Sequence, residues 1–193
     1  MNLFAEATFQ NGRNTLPQNV AAVAAQHGLE VLDAEAIREA RALAVGLIGD
    51  GVASAQCLID LQSHFGAAIF GLRQEGALTG LLAAFPLNAE GFQALEQGAF
   101  DAVALDTALV ARPGEEPAAY YGWAFAATNH DGGRAVMMAS VDIHRLLYWA
   151  VPTYARAVTA DGSRALQRIG FRRHATQAGL FVIAPALAAG VRT

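Results

Sequence analysis

Lysine is absent from this chain of 193 residues, so all 13 fixed basic side chains are arginine. Every such cation is therefore a planar guanidinium with paired donors, a shape suited to phosphate. Cys57 is the only cysteine, which excludes an intrachain disulfide; beside Leu58 and Ile59 it reads as a small core residue rather than a nucleophile. Charge is scarce at 16% of residues while hydrophobic residues reach 54%. Disorder needs the opposite balance. Against a usual charged share of about 25%, the composition points to an apolar pocket or an interface between copies. A membrane span is also missing: the longest uncharged stretch, "HATQAGLFVIAPALAAGV", is interrupted by His174, Gln177, Gly179 and Pro185. The N-terminus has no basic stretch leading into an apolar one, so no signal peptide is expected and the expected location is cytoplasmic.

Charge is unevenly placed. Residues 1–130 hold 5 Arg and 14 acids, and residues 131–193 hold 8 Arg and 3 acids, giving balances of −9 and +5 and a net −4. The negative total argues against nucleic acid as the partner. The Arg-rich final third either faces a polyanionic ligand or is a solvated surface.

No internal repeat or low-complexity linker divides the chain. Residues 1–28 read as an arm with a short helix over 19–27, and residues 29–193 as one domain. "LEVLD" (29–33) suits a short strand, and Asp33 is placed to cap a helix over 34–48, with Ile37, Ala40, Ala44 and Leu47 forming its apolar stripe. A second helix follows over 52–65. "AAIFGLR" and "ALTGLLAAFPL", separated by "QEG", form a hairpin pattern. Residues 89–98 read as a short helix, with a strand expected near 102–105. Strands are expected over 118–128, 153–159 and 179–184, with helices over 134–150 and 161–169, the last capped by Asp161. The order β-α-α-β-β-(insert)-β-α-β-α-β calls for a mixed α/β (α+β) sheet with helices on both faces, antiparallel at the front and more parallel at the back.

The best local chemical feature is "NHDGGRA", between a strand and a helix. Glycines let the backbone bend sharply and present amides at a helix start, where the dipole favours an anion; Arg134 adds charge there. The same residues also suit an ordinary Asp-Gly-Gly turn. The five histidines, His27, His64, His130, His144 and His174, show no metal-ligand spacing, and no metal is expected.

The element order and two motifs resemble the GNAT superfamily of acyl-CoA-dependent N-acyltransferases. The family's pyrophosphate loop has the form Q/R-x-x-G-x-G/A. "HDGGRA" matches it at Gly133 and Ala135 and departs from it at His130. The family's last helix often ends L-Y-x-K-x-G-F; "ALQRIGF" keeps a basic residue, Arg168, and Gly170-Phe171. The resemblance covers roughly residues 29–184. It implies a GNAT-like, mostly antiparallel sheet whose fourth and fifth strands splay apart. It implies that pantetheine lies in that gap against Ala126, Ala127 and Thr128, with the pyrophosphate on His130, Asp131, Gly132, Gly133, Arg134 and Ala135. The substrates implied are acetyl-CoA or another acyl-CoA and an amine acceptor; charge and composition, for their part, lead to the expectation of no nucleic-acid or membrane partner and of a possible homo-oligomer. In the family the acid is often a Tyr four residues before the Gly of Gly-Phe. That position is Leu166, which has no proton to donate, and no catalytic residue is assigned. Tyr120, Tyr121, Tyr148 and Tyr154 are the available phenols. Two functions stay open: acyl transfer, or a degenerate module of the same fold that binds acyl-CoA or a protein without turnover.

Overall fold

The computed structural model describes residues 15–49 and 51–185. The expected arm up to residue 14 lies outside the described residues, as do residues 186–193.

Helix starts follow a simple local chemistry. The first turn of a helix has amides without intrahelical acceptors, and a short polar side chain just before it supplies one. Asp33 caps α2 (Ala34–Ile48), Ser54 caps α3 (Ala55–Phe65), and Asn88 caps α4 (Ala89–Glu96). Asn129 caps α5 (His130–Ile143) and Thr159 caps α6 (Ala160–Arg168). In α1 (Pro17–Ala25) a proline at the start does the same work by lacking the amide. Asp161 does not cap the last helix. It lies in the first turn and pairs with Arg164, because Thr159 already takes the Gly162 amide.

The strands are β1 (Leu29–Val31), β2 (Ile69–Gln74), β3 (Ala77–Leu87), β4 (Ala119–Ala127), β5 (Thr153–Arg156), β6 (Arg172–Arg173) and β7 (Leu180–Ile183). They form one seven-stranded sheet in the order β1-β2-β3-β4-β5-β7-β6. The β2–β3 hairpin turns through Glu75 and Gly76 with φ of 51° and 83°, the positive pair that a two-residue turn of this hand requires. Every pairing is antiparallel except β4 with β5. The back of the sheet is thus less parallel than the sequence pattern suggested, because the short β6 pairs back onto β7.

Alternation of side chains across a strand assigns the faces. A side chain at Gly71 would meet Leu32, just before α2, whereas the next residue, Leu72, borders Gly80 beside Val136 of α5. On β4, Tyr120 stacks on Tyr148 beyond α5, and the next residue, Tyr121, contacts Phe85 and Phe100. Helices therefore cover both faces. α1 belongs to the same core: Val20, Val23 and Ala24 are buried in it, and His27 beyond its end bonds Asp142 of α5 at 2.9 Å.

Some expectations are corrected. Residues 102–105 form no strand; the insert holds a 3-10 turn at Thr107–Leu109 and a single bridge between Val110 and Leu87. Leu47 is exposed, outside the stripe of Ile37, Ala40 and Ala44. The helix expected over 134–150 starts at His130 and ends at Ile143, followed by a π turn at His144–Tyr148.

Candidate functional site

β4 and β5 lie side by side only at Tyr120–Thr153, Tyr121–Tyr154 and Gly122–Ala155. Beyond Gly122 they part: β4 runs on to Ala127 along β3, while β5 ends at Arg156 and pairs on its other edge with β7. The parting begins at a bulge. Ala83 faces Ala124 while Ala84 faces Gly122, so Trp123 is the extra residue on β4. Ala126 and Ala127 pair with Leu81 and Gly80, and the Thr128 amide bonds the Thr79 carbonyl. Past Gly122 the other edge of β4 has no strand partner among the described residues.

The residues expected to receive a pyrophosphate lie just beyond. His130, Asp131, Gly132, Gly133, Arg134 and Ala135 form the opening of α5 rather than a loop before it, because Asn129 can cap directly off the end of β4. Asn129 holds two of the expected amides: its side-chain oxygen accepts from Gly132 at 2.8 Å and its carbonyl from Gly133 at 3.0 Å. The amides of His130 and Asp131 precede the first intrahelical acceptor. His130 and Asp131 are almost fully exposed with 3.6 Å between ring nitrogen and carboxylate. The Asp131 carboxylate complements the helix dipole and so competes with any other anion there. At Gly133 an added side chain would meet nothing, so that position faces open space.

On the α5–α6 face of the parting strands, the Phe125 ring lies over Gly122. A Cβ at Gly122 would stand 2.4 Å from Phe125 Cζ. Phe125 packs against a small separate core of Ala155, Leu166, Phe171 and Phe181. Leu166 is buried there and forms part of the helix stop: the Phe171 amide bonds the Leu166 carbonyl and the Gly170 amide bonds that of Gln167. This paired arrangement, with Gly170 at φ 102°, is a Schellman cap, and Gly-Phe serves it by supplying a left-handed residue and an apolar contact.

The opposite face carries the polar groups. Tyr154 of β5 donates its hydroxyl to Glu96 Oε1 at 2.5 Å, and His174 Nε2 stands 3.3 Å from the same oxygen. Burial first, and then the Glu96 carboxylate, push the Tyr154 phenol well above its ordinary range, so it stays a donor. Its neighbour Tyr121 is also raised by burial, but Arg156 beside it pulls the other way. Arg156 donates to the Ala178 carbonyl at 3.2 Å. Gln177 donates to the carbonyls of Leu95 and Glu96. The segment 174–178 thus fastens both to α4 and to β5. A cavity of about 190 Å³ is lined by residues 173–180. A second, of about 460 Å³, lies at the outer side of the insert against His64, Asn88 and Arg112.

The sequence brought together Ala126–Ala135 but not Glu96, His174 and Arg156. Their only local signal was a carboxylate at the end of a short helix; the Tyr154 and His174 partners are 58 and 78 residues away along the chain.

No family model matches the chain, and no curated protein is similar to it at a significant level. Solved structures are similar. Ard1 from Thermoplasma volcanium aligns over 80% of this chain and 93% of its own at a TM-score of 0.53 and 11% identity. A polyamine N-acetyltransferase from Drosophila melanogaster aligns over 81% and 98% at 0.52 and 11%. The GNAT-like decarboxylase GphF, in complex with isobutyryl-CoA, aligns over 72% and 70% at 0.51 and 15%. Identity at this level carries the architecture and nothing finer: the chain has the GNAT fold, in a divergent form.

Proposed function

We propose that this chain transfers an acyl group from acyl-CoA, with acetyl the first candidate, to an amine. The observation that carries the reading is the parting of β4 from β5 after Gly122, opening beside the start of α5. A strand edge released from pairing offers backbone donors and acceptors to an amide-bearing chain such as pantetheine. Ala126, Ala127 and Thr128 lie along that edge. The start of α5, with His130, Asp131, Gly132, Gly133, Arg134 and Ala135, suits the pyrophosphate through its dipole and the Arg134 charge. The amine nitrogen attacks the thioester carbon, the carbon–sulfur bond breaks, a base takes the amine proton and the thiolate leaves as a thiol.

A second reading is a module of the same fold that binds without turnover. It is favoured by Leu166, locked in the core at the position where the family often has its acid, and by Phe125, whose ring covers Gly122.

Thermal melts with acetyl-CoA test both. A ligand at a hundredfold excess over its Kd stabilises by about 2.7 kcal/mol. Stabilisation by acetyl-CoA and none by adenosine supports either reading; no shift with any acyl-CoA overturns acyl transfer and acyl-CoA binding alike, and leaves only a module that binds a protein. Release of free thiol with an amine panel then separates enzyme from binder. Gly133→Glu is expected to weaken CoA binding through crowding and repulsion, and unchanged affinity in calorimetry would remove residues 130–135 from the site.

A further inference from the structure

Two opposite charges stand on the insert-side face of the parting strands and do not pair with each other. Tyr121 and Tyr154 are direct partners across β4 and β5, so their side chains leave one face of the sheet from backbones about 4.8 Å apart. Glu96 takes the Tyr154 hydroxyl, and Arg156 lies beside the Tyr121 hydroxyl. Arg156 is two residues beyond Tyr154 on the same face, about 7 Å along the strand. Its guanidinium has no carboxylate partner among the described residues, and Glu96 is 40% exposed. Segment 174–178 reaches both, through His174 to Glu96 and through the Ala178 carbonyl to Arg156. A carboxylate and a guanidinium held near one another, each still open to solvent, match a ligand with an ammonium and a carboxylate on adjacent atoms. Arginine is suited to the second by its two parallel donors.

We propose that Glu96 and Arg156 form an acceptor subsite for a free amino acid, with Arg156 holding the carboxylate and Glu96 receiving the amine protons. The chemistry rests on the acyl-transfer reading; the binding geometry does not. One ammonium proton passes through Glu96 to water and exposes the nitrogen lone pair. The nitrogen attacks the thioester carbon, the carbon–sulfur bond breaks with its electron pair going to sulfur, and the second amine proton passes by way of Glu96 to the thiolate. The products are an N-acylamino acid, a thiol and one released proton. Tyr121 of β4, Tyr154 of β5 and His174 of the segment before β7 are the titratable groups that face this pair. Arg173, next to His174, is directed instead over the Phe181 ring.

The first experiment is calorimetry on the full chain without acyl donor, using free amino acids and their carboxamides. At least one amino acid is expected to bind about tenfold or more tightly than its amide, the scale of a lost charged hydrogen bond. That preference should collapse in Arg156→Ala and return in part in Arg156→Lys. Equal binding of acid and amide, no binding of either, or an unchanged ratio in Arg156→Ala overturns the subsite. The second experiment measures turnover with acetyl-CoA and the preferred amino acid. Glu96→Gln should lower kcat about a hundredfold or more and leave KM for acetyl-CoA unchanged. An unchanged kcat, or a parallel change in both KM values without a selective loss of kcat, would show that Glu96 only braces α4 and would overturn its role. Amino-acid binding without acyl-CoA binding would support the subsite and sink the acyl-transfer reading; acyl-CoA binding without the acid–amide preference would sink the subsite alone.

Discussion

Gly91 and Gly133 both lie in the first turn of a helix, in α4 and α5, yet alanine should act on them in opposite directions. Alanine is the better helix former by about 1 kcal/mol in a helix interior, and it also lowers the entropy of the unfolded chain. At Gly133 nothing lies within 4 Å of an added Cβ. Gly133→Ala should therefore stabilise by about 0.5–1 kcal/mol. At Gly91 the added Cβ would stand 2.1 Å from the Leu109 carbonyl oxygen and 3.0 Å from its carbon. That neighbour is backbone, held by the bond from the Asn88 amide to the Leu109 carbonyl and by the Val110 bridge to Leu87. It cannot turn aside as a side chain does, so α4 and the 107–109 turn must separate. Overpacking of this kind costs about 1–3 kcal/mol. A contact this short belongs at the upper end, and the helix preference offsets up to about 1 kcal/mol, leaving a net loss of about 2 kcal/mol. In a domain of this size that lowers Tm by about 4–8 °C. Urea denaturation and thermal melts followed by circular dichroism give the free-energy loss and the Tm shift. Gly91→Ala as stable as the parent, or more so, would refute the packing of α4 on the 107–109 turn, and with it the placement of Glu96.

Phe125→Ala should tighten acetyl-CoA binding, because the ring covers Gly122 at the parting of the strands, while lowering stability by about 2 kcal/mol for a half-buried aromatic; calorimetry showing equal or weaker affinity would exclude the ring from the ligand path. Thr159→Ala should cost about 1 kcal/mol as a lost cap, and Asp161→Ala only a few tenths through its surface pair with Arg164; melts that reverse this order would return the cap to Asp161. The buried Tyr120 and Tyr148 hydroxyls have no hydrogen-bond partner among the described residues, so Phe at either position should be neutral or stabilising, whereas Tyr154→Phe removes a bond to a carboxylate and should cost about 1–2 kcal/mol. Burial raises all three phenols above their ordinary value of about 10, so the folded state holds their protons longer than the unfolded state. Their contribution is complete below about pH 10 and is lost as pH rises above it; ultraviolet titration of the folded protein finding all four tyrosines ionising near pH 10 would contradict this.

The fold was largely legible because its decisive signals are local. A polar residue before an apolar stripe gives a cap, as at Asp33, and a Gln-Glu-Gly between two apolar runs gives the β2–β3 turn. Where two local signals compete, pattern reading fails. "NHDGG" satisfies a turn as well as a helix start, and the choice was made by Asn129, whose side chain reaches the Gly132 amide once β4 ends at Ala127. Likewise Thr159 and Asp161 are both good caps in isolation, and the backbone before Ala160 selects the first. The apolar run near 102–105 has strand composition, but among the described residues no strand pairs with it to complete its hydrogen bonds. The Glu96 cluster was illegible for another reason: α4, β5 and the segment before β7 have no sequence relation to one another, and only the sheet order brings them together.

That cluster also bears on where acyl-transfer chemistry can sit on this frame. At the end of α6, Leu166 is occupied on both sides: its carbonyl closes the Schellman cap and its side chain fills the core with Phe171 and Phe181. The cap needs only the backbone carbonyl, but an acid side chain there would have to enter an apolar core uncharged, so position 166 is the wrong place to carry one. The insert is differently placed. His64 reaches the Val110 carbonyl, Cys57 the Leu105 carbonyl, and Trp123, the bulged residue of β4, the Ala102 carbonyl. Those contacts fix the insert over α3 and β4 at the point where the strands part. The helix they hold in place ends in Glu96, whose oxygen meets Tyr154 one residue before the last β4–β5 pair. On the acyl-transfer reading proposed above, proton transfer at the mouth of the gap therefore falls to the insert, which brings Glu96 to Tyr154, and not to Leu166 of α6, which is buried in the core on the opposite face.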